Sequence, residues 1–168
     1  MNIVEKARVF ATAAHAAVGQ LRKYTFEPYI VHPAEVFAIV STVDGATEEM
    51  MAAAWLHDTV EDTGVTIEVI RDMFGEKVAE LVGWLTDVSR PEQGNRATRK
   101  AIDRAHTAMA PAKAQTVKLA DLISNTRSIM AHDEAFAKVY LAEKRMLLEV
   151  MTKGDATLMA EARKYIEV

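Results

Sequence analysis

Apolar residues recur along this chain at intervals of three and four. Val36, Ile39, Val40 and Val43 form one such series, and Val78, Leu81, Val82 and Leu85 form another. That spacing lines up side chains on one face of an α-helix. Strict alternation of apolar and polar residues, the mark of a half-buried strand, does not persist over any useful length, so the pattern predicts an all-α chain. Helices are predicted over 2–20, 33–43, 47–60, 66–73, 76–87, 95–108, 112–130, 133–151 and 155–166. Gly45, Gly64, Gly75 and Gly154 each follow an apolar-periodic stretch, where a helix C-cap is expected. Pro33 and Pro111 read as first-turn prolines opening new helices. Segments 21–32 and 88–94 are the irregular loops, and both carry basic residues. No repeat of 20–50 residues and no low-complexity tract interrupts the pattern. The expectation is a single domain, residues 1–168, built as a bundle of about eight to nine helices.

Composition narrows the function. A chain of 168 residues is long enough to bury a real core, and its 50% hydrophobic and 26% charged residues are ordinary for a soluble globular protein. No apolar run reaches the roughly 18 residues that span a bilayer, and the N-terminus has no apolar signal-peptide core. A cytoplasmic protein with no membrane partner is therefore expected. The absence of cysteine excludes a disulfide scaffold, a thiolate-ligated zinc and a thiol nucleophile. A net charge of −4 argues against nucleic acid as a partner. Any polyanionic ligand must then be met by a local basic patch or by a metal.

The densest chemical signal is Trp55-Leu56-His57-Asp58-Thr59-Val60-Glu61-Asp62-Thr63. On a continuous helix, His57 and Glu61 are one turn apart, as are Asp58 and Asp62. One imidazole and three carboxylates then crowd the C-terminal end of a helix, where the helix dipole adds to their mutual repulsion. A divalent cation reverses that cost, since carboxylate oxygen and imidazole nitrogen are both acceptable ligands. A solvated acidic helix end is the alternative. Two further segments bear on the choice. Pro28-Tyr29-Ile30-Val31-His32-Pro33 sets a histidine between apolar residues at a helix start. Val117 to Asn125 puts Lys118, Asp121 and Asn125 on one face of a helix whose other side carries Leu119, Leu122 and Ile123. A carboxylate in such company needs a cationic partner, either Lys118 or a metal. Two histidines and two aspartates make a plausible site with positions left for water or substrate, and metal-bound water is acidic enough to attack phosphorus at neutral pH.

These blocks, in this order, resemble the HD superfamily of metal phosphohydrolases. More narrowly, they resemble the hydrolase domain of RelA/SpoT-type alarmone enzymes and the stand-alone small alarmone hydrolases. The resemblance runs from about His15 to Lys144, through Gln20-Leu21-Arg22-Lys23, Pro28 to Pro33, Leu56 to Thr63, Phe74-Gly75, Leu85-Thr86-Asp87 and Val117 to Asn125. It implies an HD-domain helical bundle in which His32, His57, Asp58 and Asp121 hold one divalent metal ion, usually Mn²⁺. It implies that Glu61 and Asp62 orient the attacking water and move its proton, a role within reach of carboxylates one turn from a ligand. Arg22 and Lys23 match a basic pair near the nucleotide and its phosphates, and Asn125 a contact to the sugar. Tyr140 and Lys144 match the pocket lining.

The implied reaction is hydrolysis of the 3′-pyrophosphate of ppGpp or pppGpp to GDP or GTP and pyrophosphate. The partner is thus a nucleotide small molecule, and a homo-oligomer is compatible with the sequence. Departures from the family pattern fall at Tyr24-Thr25-Phe26-Glu27, which lacks a glycine-containing turn, and at Leu122-Ile123-Ser124 and Thr126. They leave open a second reading, in which an HD phosphohydrolase acts on an adenine alarmone or an NADPH-like dinucleotide. A catalytically dead binding module is the third, against which all six ligand and acid positions are present. His15 is expected to pack or hydrogen-bond. Trp55, Trp84 and most methionines are expected to fill the core. Arg96, Arg99, Lys100 and Arg104 read as a solvated basic face from which one residue could reach a pyrophosphate.

Overall fold

The computed structural model describes residues 1–166. Among them the chain is helical throughout: α1 (Ile3–Ala17), α2 (Val31–Ser41), α3 (Glu48–Leu56), α4 (Thr59–Asp62), α5 (Ile67–Phe74), α6 (Glu76–Leu85), α7 (Arg96–Met109), α8 (Ala112–His132), α9 (Glu134–Val150) and α10 (Ala156–Ile166), with a 3₁₀ turn at Pro91–Gln93. The one β-type pairing among these residues is an isolated antiparallel bridge between Leu21 and Pro28. No described helix is long and apolar enough to cross a membrane.

Side chains set most helix starts. Asn2, Thr47, Thr66, Asn95 and Asp133 each accept a hydrogen bond from the backbone N–H three residues on, which satisfies a donor that the first turn leaves without a partner. Several helices stop before the expected glycine because a threonine intervenes. Thr42 Oγ1 donates to the Ile39 carbonyl and Thr63 Oγ1 to the Thr59 carbonyl, so α2 and α4 close at threonine caps. Gly45 and Gly64 fall in the turns beyond. Gly154 likewise lies past the Met151 cap of α9, and Pro111 is the N-cap of α8 rather than its first residue. Pro33 does lie within the first turn of α2.

The chain forms two compact units, residues 1–86 and the remainder from Asp87. In the first, α3 is the central helix and packs on α1, α2 and α6. Its Ala52, Ala53, Ala54, Trp55 and Leu56 are all buried. The run of alanines lets three neighbouring backbones approach, while Trp55 stacks on Phe37 with ring centroids 5.1 Å apart. In the second unit α8 is central, with α9 and α10 against it and α7 against α9. Leu119, Leu122 and Ile123 are fully buried there.

Two glycines answer to different constraints. Gly75, at φ 87°, ends α5 and begins α6 in one residue, a backbone conformation that costs an L-residue about 1–2 kcal/mol. At Gly154 an added Cβ would lie 2.6 Å from Leu119 Cδ1, and Leu119 is fully buried. Gly154→Ala should therefore lower stability by about 1–3 kcal/mol through overpacking, and Gly75→Ala by about 1–2 kcal/mol through strain. Gly64→Ala, with open space around the new methyl, should stay close to wild type; urea unfolding of the three variants checks the ranking.

Candidate metal centre

The helix predicted over 47–60 breaks at His57-Asp58. His57 caps the C-terminus of α3, and Asp58 caps the N-terminus of the single-turn α4. Thr59 Oγ1 donates to the Leu56 carbonyl across the break, so the interruption leaves that carbonyl satisfied. The expectation of one continuous helix through His57 and Glu61 is thereby corrected. Asp58 and Asp62 do remain one turn apart, with the Asp62 N–H donating to the Asp58 carbonyl at 3.0 Å.

The break turns His57 inward. Its Nδ1 lies 2.8 Å from the Ala54 carbonyl, an acceptor only, so Nδ1 carries the proton and Nε2 presents a lone pair. His32, from the first turn of α2, brings its own Nε2 to within 3.2 Å of that atom. Asp58 Oδ2 is 3.0 Å from His57 Nε2 and 3.6 Å from His32 Nε2. Both histidines are 1% exposed. Two nitrogens and a carboxylate oxygen thus converge in a buried place. Separations of this size are those of ligand atoms sharing one ion at roughly 2.0–2.2 Å each. The donor set of imidazole and carboxylate suits a divalent cation, and His32, His57 and Asp58 form the potential metal cluster among the described residues.

A further set of hydrogen bonds holds the acids. Tyr29 donates from its hydroxyl to Asp58 Oδ2 at 2.6 Å, the kind of outer partner that fixes a ligating carboxylate. Its ring lies 4.8 Å from that of His15, which is itself buried. His15 Nδ1 is 2.7 Å from Gln20 Oε1, and Gln20 Nε2 donates to Asp62 Oδ2 at 2.9 Å. The reading of His15 as a hydrogen-bonding residue holds, but Tyr29 and Gln20 were not singled out as partners of the acids. Nothing in their local pattern marks them; only the return of the loop beside α4 does. Crowding by protein atoms pushes the Asp62 carboxyl above the ordinary value of 3.8; the Gln20 amide opposes this and the Asp58 charge reinforces it. Glu61 is exposed on α4.

Arg22 and Lys23 lie on the bridged loop. The Arg22 backbone N–H donates to the Glu27 carbonyl, and its side chain, 11% exposed, lies 3.8 Å from Glu35. Lys23 stands over the Tyr24 ring. Without a glycine in this loop, Phe26 takes the left-handed conformation at φ 58°.

The other sequence-predicted residues belong to the second unit. Asp121 is buried on α8, 3.4 Å from Lys118 Nζ, and accepts from Asn125 Nδ2 at 2.8 Å. Tyr140 is buried on α9, and its hydroxyl is pushed above the usual range, chiefly by burial. Lys144 Nζ lies 5.0 Å from the centre of the Tyr140 ring.

This geometry gives a helical protein a histidine–aspartate cluster able to hold a divalent cation. Residues 7–148 match the HD domain family, and the chain belongs to it. It is 38% identical over 130 residues to a probable GTP pyrophosphokinase of Mycobacterium leprae, a match covering 77% of this chain and 16% of that one. A Synechocystis protein named probable guanosine-3′,5′-bis(diphosphate) 3′-pyrophosphohydrolase is 37% identical over 132 residues, covering 77% and 17%. MESH1 of Xenopus tropicalis, named as the same pyrophosphohydrolase, is 40% identical over 104 residues, covering 61% and 56%. The chain thus spans about a sixth of the length of the first two relatives. A solved structure described as a metazoan ortholog of SpoT that hydrolyzes ppGpp superposes with a TM-score of 0.87 at 24% identity, over 99% of this chain and 95% of that one. It shares the fold.

The raised Asp62 carboxyl carries a pH dependence. A carboxyl whose value is higher in the folded than in the unfolded state supports folding while protonated and loses that support as pH rises through the folded value. Metal-free protein should accordingly gain thermal stability on Asp62→Asn at pH 7. The gain should shrink to nothing below pH 3.8, where the wild-type carboxyl is protonated in both states; melting curves at the two pH values check it.

Proposed function

We propose that this chain is an Mn²⁺-dependent hydrolase that removes the 3′-pyrophosphate of ppGpp or pppGpp, releasing GDP or GTP and pyrophosphate. The convergence of His32, His57 and Asp58, with Asp62 one turn beyond, carries this reading. The names of the relatives supply the substrate class. Asp121 is proposed as the fourth ligand, by the family resemblance, with residues 1–168 serving as one catalytic domain. The cation supplies positive charge to the phosphoryl oxygens and acidifies water when bound.

The chain's own residues account for the rest. His57, with its Nδ1 proton committed to Ala54, offers Nε2 without having to lose a proton first. Tyr29 holds Asp58 in a single orientation, so little side-chain freedom is lost when the site fills. Glu61 and Asp62 are proposed to orient the attacking water and accept its proton, with Asp62 one turn from Asp58 and held by the Gln20 amide. The proton then passes to the leaving 3′-oxygen of the nucleotide as the bond to phosphorus breaks. Arg22 and Lys23 are proposed to meet the nucleotide and its phosphates, Asn125 its sugar, and Tyr140 and Lys144 its pocket. The enzyme is proposed to work in the cytoplasm on free nucleotide, without nucleic acid or membrane.

One observation favours a second reading of the substrate. Leu122, Ile123, Ser124 and Thr126, which depart from the family pattern, are all buried, and Thr126 Oγ1 is spent on the Leu122 carbonyl. An adenine alarmone or an NADPH-like dinucleotide therefore belongs in the substrate panel beside ppGpp.

The test is release of GDP and pyrophosphate from ppGpp by metal-loaded protein; no release with Mn²⁺ demonstrably bound would sink the proposal. His57→Ala is expected to lose metal and turnover together. Glu61→Ala should keep its metal and lose about 10²–10⁴-fold in kcat. Asp121→Asn should weaken metal affinity, and unchanged affinity would remove it from the ligand set.

A further inference from the structure

Two side chains of one loop hold the acids beside the metal centre, Tyr29 on Asp58 and Gln20 on Asp62. The backbone joins these two holders. The Tyr29 N–H donates to the Gln20 carbonyl at 3.1 Å, and Leu21 and Pro28 pair beside them in the antiparallel bridge. The loop thus presents Gln20 and Tyr29 together, at a fixed spacing.

Both holders rest on His15. Helix α1 ends at Ala17, and Gly19, in the left-handed conformation at φ 64°, turns the chain back in a Schellman closure. The Gln20 N–H then donates to the His15 carbonyl at 3.1 Å. The side chains meet as well. Gln20 gives its amide N–H to the Asp62 carboxylate, which leaves Oε1 facing His15 Nδ1 at 2.7 Å. That oxygen can only accept, so Nδ1 carries the ring proton. The His15 ring also lies against the Tyr29 ring, with centroids 4.8 Å apart.

Packing does not account for a histidine at this position. The residue is 1% exposed, and among the described residues its Nε2 has no hydrogen-bond partner. A buried nitrogen without a partner is costly, and an apolar ring would fill the same space without that cost. An apolar ring cannot donate to Gln20.

We propose that His15 is a positioning residue for the hydrolytic site, acting on Asp62 through the Gln20 amide and on Asp58 through the Tyr29 ring. The imidazole proton fixes which way the Gln20 amide points, so that Nε2 meets Asp62; a reversed amide would set an oxygen against a carboxylate. The ring holds Tyr29 where its hydroxyl reaches Asp58. The chemical roles of the two acids rest on the hydrolase reading above, whereas the two arms of His15 do not.

The experiment separates the arms by substitution in the full chain. Mn²⁺ affinity is measured calorimetrically on chelator-stripped protein, and ppGpp kinetics at saturating Mn²⁺. His15→Phe keeps a ring against Tyr29 and loses the donor. It should lower kcat about 10–100-fold, the usual effect of a lost outer partner, with KM and Mn²⁺ affinity near wild type. His15→Asn loses the ring and keeps a donor, since its amide nitrogen stands as many bonds from Cα as Nδ1 does. It should weaken Mn²⁺ binding about tenfold and restore most of kcat once metal saturates. Gln20→Leu should match His15→Phe, and the double variant should lose no more than Gln20→Leu alone, because both changes remove one interaction.

A kcat retained in His15→Phe overturns the proposal, as does a joint fall of kcat and affinity in both His15 variants. Gly75→Ala, which strains the backbone between α5 and α6, should keep both quantities; a loss there as large as in His15→Phe would assign the effect to stability and also overturn it. Should the His15 variants unfold by circular dichroism, NMR of the His15 Nδ1–H decides. Its exchange with solvent should be slow in wild type and fast in Gln20→Leu, and equal rates overturn the proposal. Absence of ppGpp turnover by metal-loaded wild type removes the hydrolase reading instead. The Mn²⁺ titrations then decide: weaker binding in His15→Asn beside unchanged binding in His15→Phe upholds the Tyr29 arm, and equal binding overturns it.

Discussion

Two imidazole nitrogens, each fully buried and 3.2 Å apart, with a carboxylate oxygen 3.0 Å from one of them, form the contact around which the first unit is arranged. The Ala54 carbonyl removes one freedom from this group by fixing the proton of His57 on Nδ1. What remains is two imidazole nitrogens and a carboxylate oxygen facing one another in a buried place. Proteins tolerate such a concentration only where a cation or a proton offsets it. The neighbouring structure serves that need. The alanine run of α3 admits α1, α2 and α6 closely enough to exclude solvent, and the break after Leu56 turns His57 and Asp58 toward His32.

The hydrogen bonds beyond the ligands give the acids distinct surroundings. Asp58 is tied to a tyrosine hydroxyl, whereas Asp62 is tied to a glutamine amide that is itself fixed by His15. Partial desolvation raises the Asp62 carboxyl above its ordinary value. Two acids four residues apart thus face different neighbours, which is the general way a fold gives like groups different surroundings.

The second unit poses the opposite electrostatic problem. Lys100, Arg104, Lys118 and Lys144 gather around one groove, where Asp87 pairs with Lys100 and Asp121 with Lys118, while Asp103 is held by the loop before α7 and Glu143 by Arg96. Arg104 and Lys144 lack such ties among the described residues. The histidine–aspartate cluster lies in the first unit, while basic residues outnumber acidic ones in the second, in a chain whose net charge is −4.

The all-helical class was legible from the three-and-four spacing of apolar residues, because that spacing follows from helix geometry alone. The family was legible from His32, from His57-Asp58-Thr59-Val60-Glu61-Asp62-Thr63 and from Asp121 in order, and the buried face of α8 was readable from Leu119, Leu122 and Ile123. The break at His57-Asp58 was not, since periodicity cannot distinguish one helix from two in line. Threonine caps also closed helices before the expected glycines, because a hydroxyl satisfies a terminal carbonyl as well as a left-handed glycine does. Tyr29 and Gln20 became partners of the acids only when the loop folded back beside α4, and no local spacing encodes that return. The sequence by itself determined which residue types were available for chemistry and which helical faces would be buried. Tertiary structure decided which lone pairs meet and which charges lack a partner, because those depend on distances between segments far apart in the chain.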